Sequence, residues 1–290
     1  MAVHFTIGCD PEFFLQKEGA YVASIPYVDG MKGDPQPLGR GNGVMVDNVA
    51  LEFCTPPAMK EAKFVRTVKH AISSIRAMLP EDVKLVAMAS ARFPISELEH
   101  PICQEFGCDP DFNAYKDGAK NNKPSLMDKQ FRSCGGHIHV GHAMLKDQAN
   151  RITMIKLMDA IHGLVSTILD SGASSVERRK LYGKAGCFRP TEYGVEYRTL
   201  SNYWCKAPEL TKLMYRCTRD AISMLAKGKA GIILDSIDLK ELEKTINTGD
   251  RGAALEMFAT KVAQHLSSHT NELFMEVSKK VFSFESSWND

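Results

Sequence analysis

Neither sign of charge prevails in this chain of 290 residues: 36 lysines and arginines face 35 aspartates and glutamates, for a net charge of +1. No global field draws the protein to nucleic acid or to an anionic membrane, so any anion binding has to be local. No apolar run approaches the length of a bilayer span, and no charged-then-apolar leader precedes Met1-Ala2-Val3-His4. The eight cysteines, 9, 54, 103, 108, 134, 187, 205 and 217, show no close spacing beyond that of Cys103 and Cys108. They read as reduced thiols of a soluble, cytoplasmic protein. Repeats and low-complexity segments are lacking too. At 44% hydrophobic and 24% charged residues, the chain is neither disordered nor fibrous, and it suffices for one large domain or two small ones.

What is there begins with Ile7-Gly8-Cys9-Asp10-Pro11-Glu12-Phe13-Phe14-Leu15, two carboxylates set in an apolar, aromatic strand. Side chains of a strand repeat every second residue, so Asp10 and Glu12 face the same way. Two like charges on a half-buried surface either share a proton or are bridged by a cation. Gly135-Gly136-His137-Ile138-His139-Val140-Gly141 points two imidazoles to one face between glycines that permit close approach. Val195-Glu196-Tyr197-Arg198 does the same with a carboxylate and a guanidinium, and Glu52 interrupts the apolar run Val49 to Cys54. Oxygen ligands with at most one nitrogen suit magnesium or manganese.

The periodicity predicts an amphipathic helix from Ala58 to Leu79, ended by Pro80, and a short strand from Val83 to Met88. Gly30 to Gly43 is a glycine-proline connection of lid type, and His100 to Cys134 reads as a long functional or mobile loop. A second long helix is expected over Asp147 to Leu169, then a basic stretch, Arg178 to Arg189, that feeds the Glu196 strand. Helices follow over Glu209 to Leu225, Leu239 to Ile246 and Gly252 to Phe282. The whole predicts an α+β fold, a mostly antiparallel sheet with the site on one face and helices on the other.

In these motifs the chain resembles the carboxylate-amine ligases of the glutamine synthetase and glutamate-cysteine ligase superfamily, most closely the compact phage-encoded type. The resemblance spans roughly residues 4 to 204, through the Asp10-Pro11-Glu12 strand, Glu52, the His139 strand and Glu196-Tyr197-Arg198. It implies a glutamine-synthetase-like domain with a curved sheet over residues 1–205, and a helical part over 206–290 packed on it. It also implies ATP and Mg2+ (or Mn2+) as cofactors, with divalent ions held by Glu12 and Glu52 and by Asp10, His139 and Glu196. Arg198 would stabilise the transferring phosphoryl group, and Arg189, Lys184 and Lys180 would contact the nucleotide. An acyl phosphate formed from a carboxylate substrate would be attacked by an amine, drawn from amino acids, polyamines or peptide ends, in the host cytoplasm if the chain is phage-encoded. Departures are the aspartate at position 10 and a single clear carboxylate, Glu52, where two are usual, with Asp47 available as a second.

Other readings of the same residues stay open. The Asp-Pro step suits a turn, a His-x-His strand suits zinc or a hydrogen-bonded pair, and Glu196 with Arg198 suits a plain salt bridge. His137 fits a supporting role beside the ligands, His142 and His162 read as structural, and Arg178-Arg179-Lys180 reads equally as a solvated run. At the level of function, a guanidine-type phosphotransferase on the same fold and a metal-dependent hydrolase are the alternatives.

Overall fold

Alternation builds the central strand. In the computed structural model, which describes residues 3–104, 111–122 and 128–288, β1 (Thr6–Lys17) buries Ile7, Cys9, Phe13 and Leu15 on one face. Thr6, Gly8, Asp10 and Glu12 share the other. After it come β2 (Ala20–Val22), β3 (Gln36–Gly39), β4 (Asn42–Asp47), β5 (Ala50–Cys54), helix α1 (Glu61–Met78), β6 (Val83–Val86) and β7 (Ser90–Arg92). The short helix α2 (Pro101–Gln104) precedes β8 (Phe112–Asn113), β9 (Ala119–Lys120), β10 (Phe131–Ser133) and β11 (Gly136–Gly141). Helices α3 (Gln148–Met158), α4 (Leu164–Leu169) and α5 (Ala173–Leu181) lead to β12 (Cys187–Thr191) and β13 (Gly194–Tyr197). The remainder is helical: α6 (Pro208–Ala226), α7 (Gly231–Leu234), α8 (Leu239–Thr248), α9 (Arg251–Met257) and α10 (Ser268–Val277).

Among the described residues the main sheet has eleven strands in the order β3-β4-β5-β1-β11-β13-β12-β8-β9, with β2 and β6 paired to the far end of β1. Every pairing is antiparallel, as the sequence led us to expect. Glu12 lies opposite Glu52, Asp10 opposite His137, and His139 opposite Glu196, which in turn faces Arg189. Directly opposed residues of antiparallel strands point to the same side. One face of the sheet therefore collects every motif.

Helices cover the other face. The buried positions of α1, Phe64, Val68, Ala71, Ile72 and Ile75, follow the spacing of three and four that defines an apolar stripe. Helix α6 packs against α1, α3 and α10. Phe13 stacks on Phe53 and Phe284, with centroids at 5.8 and 5.4 Å, and Phe64 on Trp204 at 6.2 Å. Burying each such ring is worth roughly 1.5–3 kcal/mol. One buried apolar cluster runs from Phe5 to Trp288, whose indole donates to the Cys205 carbonyl at 2.7 Å.

The second long helix forms as expected, over Gln148–Leu169, with a π-helical turn at Asp159–Gly163. Other expectations are corrected: this helix is, by length and composition, long and apolar enough to cross a membrane. Of its most apolar stretch 78% is buried within the fold, the position of a core helix. The helix expected over Gly252 to Phe282 is broken between α9 and α10. Buried Asp220 of α6 accepts from the Ser267 amide and hydroxyl and from the Thr270 hydroxyl, which makes Ser267 the cap of a new helix. Helix α5 takes up Arg178 to Lys180, and Arg178 and Arg179 are only 2% and 4% exposed, so the solvated-run reading holds for Lys180 alone. Parts of His100 to Cys134 form α2, β8, β9 and β10, and its remaining stretches with Cys108, Pro110 and Pro124 lie outside the described residues. In Gly30 to Gly43, β3 pairs with β4 as a hairpin.

Candidate active site

Two groups of three ligand-type side chains stand on the open face. Asp10, His139 and Glu196 form one, and Glu12, Asp47 and Glu52 the other; within each, the ligand atoms lie within 4.8 Å of one another. Strand β1 supplies one carboxylate to each group. Asp47 arrives through the tight β4–β5 hairpin, where Asn48 takes a left-handed φ of 58°. Glu12 is pinned on three sides: its carboxylate accepts from the Gly135 amide at 2.7 Å, its own amide donates to Gly135, and its carbonyl accepts from Asn202 at 2.7 Å. The glycines before His137 serve the protein itself, since a Cβ at Gly136 would meet the Ser201 carbonyl at 2.3 Å.

The charges of the two groups are balanced differently. Burial pushes the Asp10 carboxyl up, but the imidazoles of His139 and His137 outweigh it and hold the carboxyl well below the usual range. Burial likewise opposes a charged His139, and Asp10 and Glu196 overcome it, so its pKa is raised. Glu12 is raised by burial, with Asp47 adding to the rise. His139 is held at both nitrogens: Nδ1 is hydrogen-bonded to the Tyr193 hydroxyl at 2.5 Å, and Nε2 approaches Asp10 at 3.0 Å. His137, almost fully buried, sits between the groups, 3.4 Å from both Asp10 and Glu196 and 3.2 Å from Arg198.

Arg198 is tied to Glu196 and, through Nε at 2.6 Å, to Asp111. Asp111 is also 3.9 Å from Arg189. Asp111 was not legible in the sequence, because its segment carries no periodicity and lies far from Arg198 along the chain. Lys184 is exposed, with its carbonyl accepting from Thr199. Lys180 is also exposed and ion-paired to Glu177. Cys134 is buried near Glu12, and burial raises its thiol far above the reactive range. Behind the sheet, Asp159 accepts from the Tyr197 hydroxyl and the Gly186 amide, both at 2.6 Å, and from Thr199 at 3.2 Å. Burial pushes its carboxyl up to about 7. It fastens β13 and the turn before β12 to the π-helical turn.

A cavity of about 360 Å3 opens beside Glu12 and Asp47 and is lined further by Arg178, Arg198 and His137. A second, of about 400 Å3, lies beside Asp10 and His139, bordered by Tyr193 and Pro57, with Glu52 on its wall. The donor set fits divalent cations. The two groups offer carboxylate oxygens with a single imidazole nitrogen, the mixture that magnesium or manganese takes.

The model of the phage phiEco32-like COOH.NH2 ligase-type 2 family matches residues 125–286, more than half of the chain. The chain belongs to this family. The family is described as one of COOH.NH2 ligases. The match holds His137, His139, Glu196 and Arg198 and runs on through α6 to α10, which the motif resemblance left aside; Asp10, Glu12, Asp47 and Glu52 precede it. Among solved structures, a bifunctional glutathione synthetase from Pasteurella multocida is similar over 98% of this chain and 50% of that one, at 12% identity and a TM-score of 0.48. The chain thus spans about half the length of that synthetase. A novel glutamine synthase homolog is similar over 95% and 71% of the two chains, at 12% identity and a TM-score of 0.36. No curated protein matches the chain by sequence.

Proposed function

We propose that this ligase uses ATP and divalent cations, Mg2+ or Mn2+, to form an amide or isopeptide bond through an acyl phosphate. The observation that carries the reading is the pair of three-ligand groups on one sheet face, with Arg198 and His137 between them. Cations bound there would neutralise phosphate oxygens during transfer. Asp10, His139 and Glu196 hold the nucleotide side, and Glu12, Asp47 and Glu52 the acid side. An oxygen of the substrate carboxylate attacks the γ-phosphorus as the bond to the ADP oxygen breaks. The amine nitrogen then attacks the acyl carbon, the bond from carbon to phosphate oxygen breaks, and the ammonium proton passes to solvent or to phosphate. Arg198 aims its guanidinium at the oxygens that carry this charge, and Glu196 and Asp111 fix its plane. Arg189, Lys184 and Lys180 lie on the segment that would contact the nucleotide. Such a reaction belongs in a compartment that contains ATP, the cytoplasm of the cell or of an infected host.

Phosphate release from ATP and Mg2+, with acids and amines supplied singly and in pairs, tests this. Release that needs both members of one pair is the expected result. Release with a single substrate would favour a phosphotransferase, and turnover without ATP a hydrolase.

A further inference from the structure

Arg178 lines the 360 Å3 cavity and is 2% exposed. Its Nη1 donates to the Thr199 carbonyl at 2.9 Å, its Nη2 reaches the Arg198 carbonyl at 3.4 Å, and its Nε has no hydrogen-bond partner. Arg198 beside it is paired with two carboxylates, whereas no carboxylate among the described residues forms an ion pair with Arg178. A guanidinium withdrawn from water without a counter-ion is costly. Burial accordingly lowers its pKa to about 10, opposed chiefly by the charge of Glu12.

The chain is shaped to keep this side chain in place. Gly183, just after α5, adopts a φ of +70°, and a Cβ there would lie 1.7 Å from Arg178 Nη1. Any other residue at 183 would displace the guanidinium. A second cation, Lys32, stands on the wall of the same cavity, which opens on Glu12 and Asp47. The volume falls in the range of small-molecule sites, and the unpaired, forked donor calls for an anion with matching geometry.

We propose that this cavity is the acid subsite and that Arg178 receives a second carboxylate of the acid, remote from the one that is activated. The acid is then a dicarboxylate, or an amino acid or peptide bearing a carboxylate besides the reacting one. The assignment rests on the ligase reading above.

Calorimetry with Mg2+ and a non-hydrolysable ATP analogue present, titrating succinate, glutarate, adipate and butyrate, tests it. At least one diacid is expected to bind about tenfold or more tightly than butyrate, the difference a charge-assisted bidentate contact makes. Arg178→Gln should erase that preference and Arg178→Lys should reduce it to a few-fold, with nucleotide binding kept in both. The wild-type comparison decides even if a variant does not fold. Equal binding of all four acids, binding of none, or a preference that survives Arg178→Gln overturns the subsite while leaving the ligase reading standing if the nucleotide still binds with Mg2+. Failure of the wild type to bind the nucleotide overturns both.

Discussion

The group of Asp10, His139 and Glu196 and the group of Glu12, Asp47 and Glu52 stand side by side on one sheet face, yet the protein treats their charges in opposite ways. The first is compensated from within: His139 and His137 hold Asp10 low, and Arg198 is bound to Glu196. The second gathers three carboxylates, and burial together with Asp47 pushes Glu12 up against the pull of His137, the Gly135 amide and Arg198. The balance thus favours the charged carboxylate at Asp10 and disfavours it at Glu12, where a neighbouring carboxylate adds to the cost of burial. This unevenness is what the proposed division of labour, the first group for the nucleotide and the second for the acid, would use.

The largest effect should come from removing one ligand of each group. Glu12→Gln combined with Glu196→Gln is expected to weaken Mg2+-dependent binding of a non-hydrolysable ATP analogue by more than about 100-fold, read by calorimetry on protein whose circular dichroism is unchanged. Retained binding would remove the metal groups from the account.

A carboxyl held by hydroxyls and a backbone amide separates burial as such from burial beside ligands. Asp159 has a folded pKa of about 7 against an ordinary 3.8. Between these values the folded protein holds a proton that the unfolded chain has lost, so stability falls as pH rises from about 4 to 7 and levels off above. The contribution is of the order of a few kcal/mol. Asp159→Asn should lack this decline in urea melts at pH 5 and 7. His162, lowered to about 3 by burial, contributes the opposite slope in both proteins, so the difference between them isolates Asp159.

Single variants sharpen the contrast in sign. In metal-free protein, Glu196→Gln takes a partner from buried Arg198 and should cost about 3 kcal/mol. Glu12→Gln relieves repulsion and can still accept from Gly135, so it should raise stability by about 1 kcal/mol, or about 2 °C in melting temperature. Excess Mg2+ should reverse the second result. Two losses of equal size would dissolve the distinction between the groups.

The smallest effect concerns Tyr193, half exposed, whose hydroxyl fixes His139. Tyr193→Phe should weaken Mn2+ binding at the first group by about tenfold and leave the second unchanged. Loss at both groups would mean that the tyrosine merely supports the sheet.

Much of this site could be read along the chain, because a strand states its facing within three residues. Asp10 with Glu12, His137 with His139, and Glu196 with Arg198 needed only the period of two. Convergence needed more. Asp47 meets Glu12 only once the β4–β5 hairpin and its register to β1 are known. Asp111 reaches Arg198 across a segment without pattern, and the burial of Arg178 depends on the turn at Gly183. The break before α10 came from Asp220 on another helix, a contact that local periodicity does not carry.

The most direct measurement is the number of Mn2+ ions bound in the presence of a non-hydrolysable ATP analogue, followed by electron paramagnetic resonance. The account predicts two ions per wild-type chain and one in each of Glu52→Gln and His139→Gln. A single ion in the wild type, or the same loss of both ions from either variant, would contradict two separate groups and with them the proposed division between nucleotide and acid.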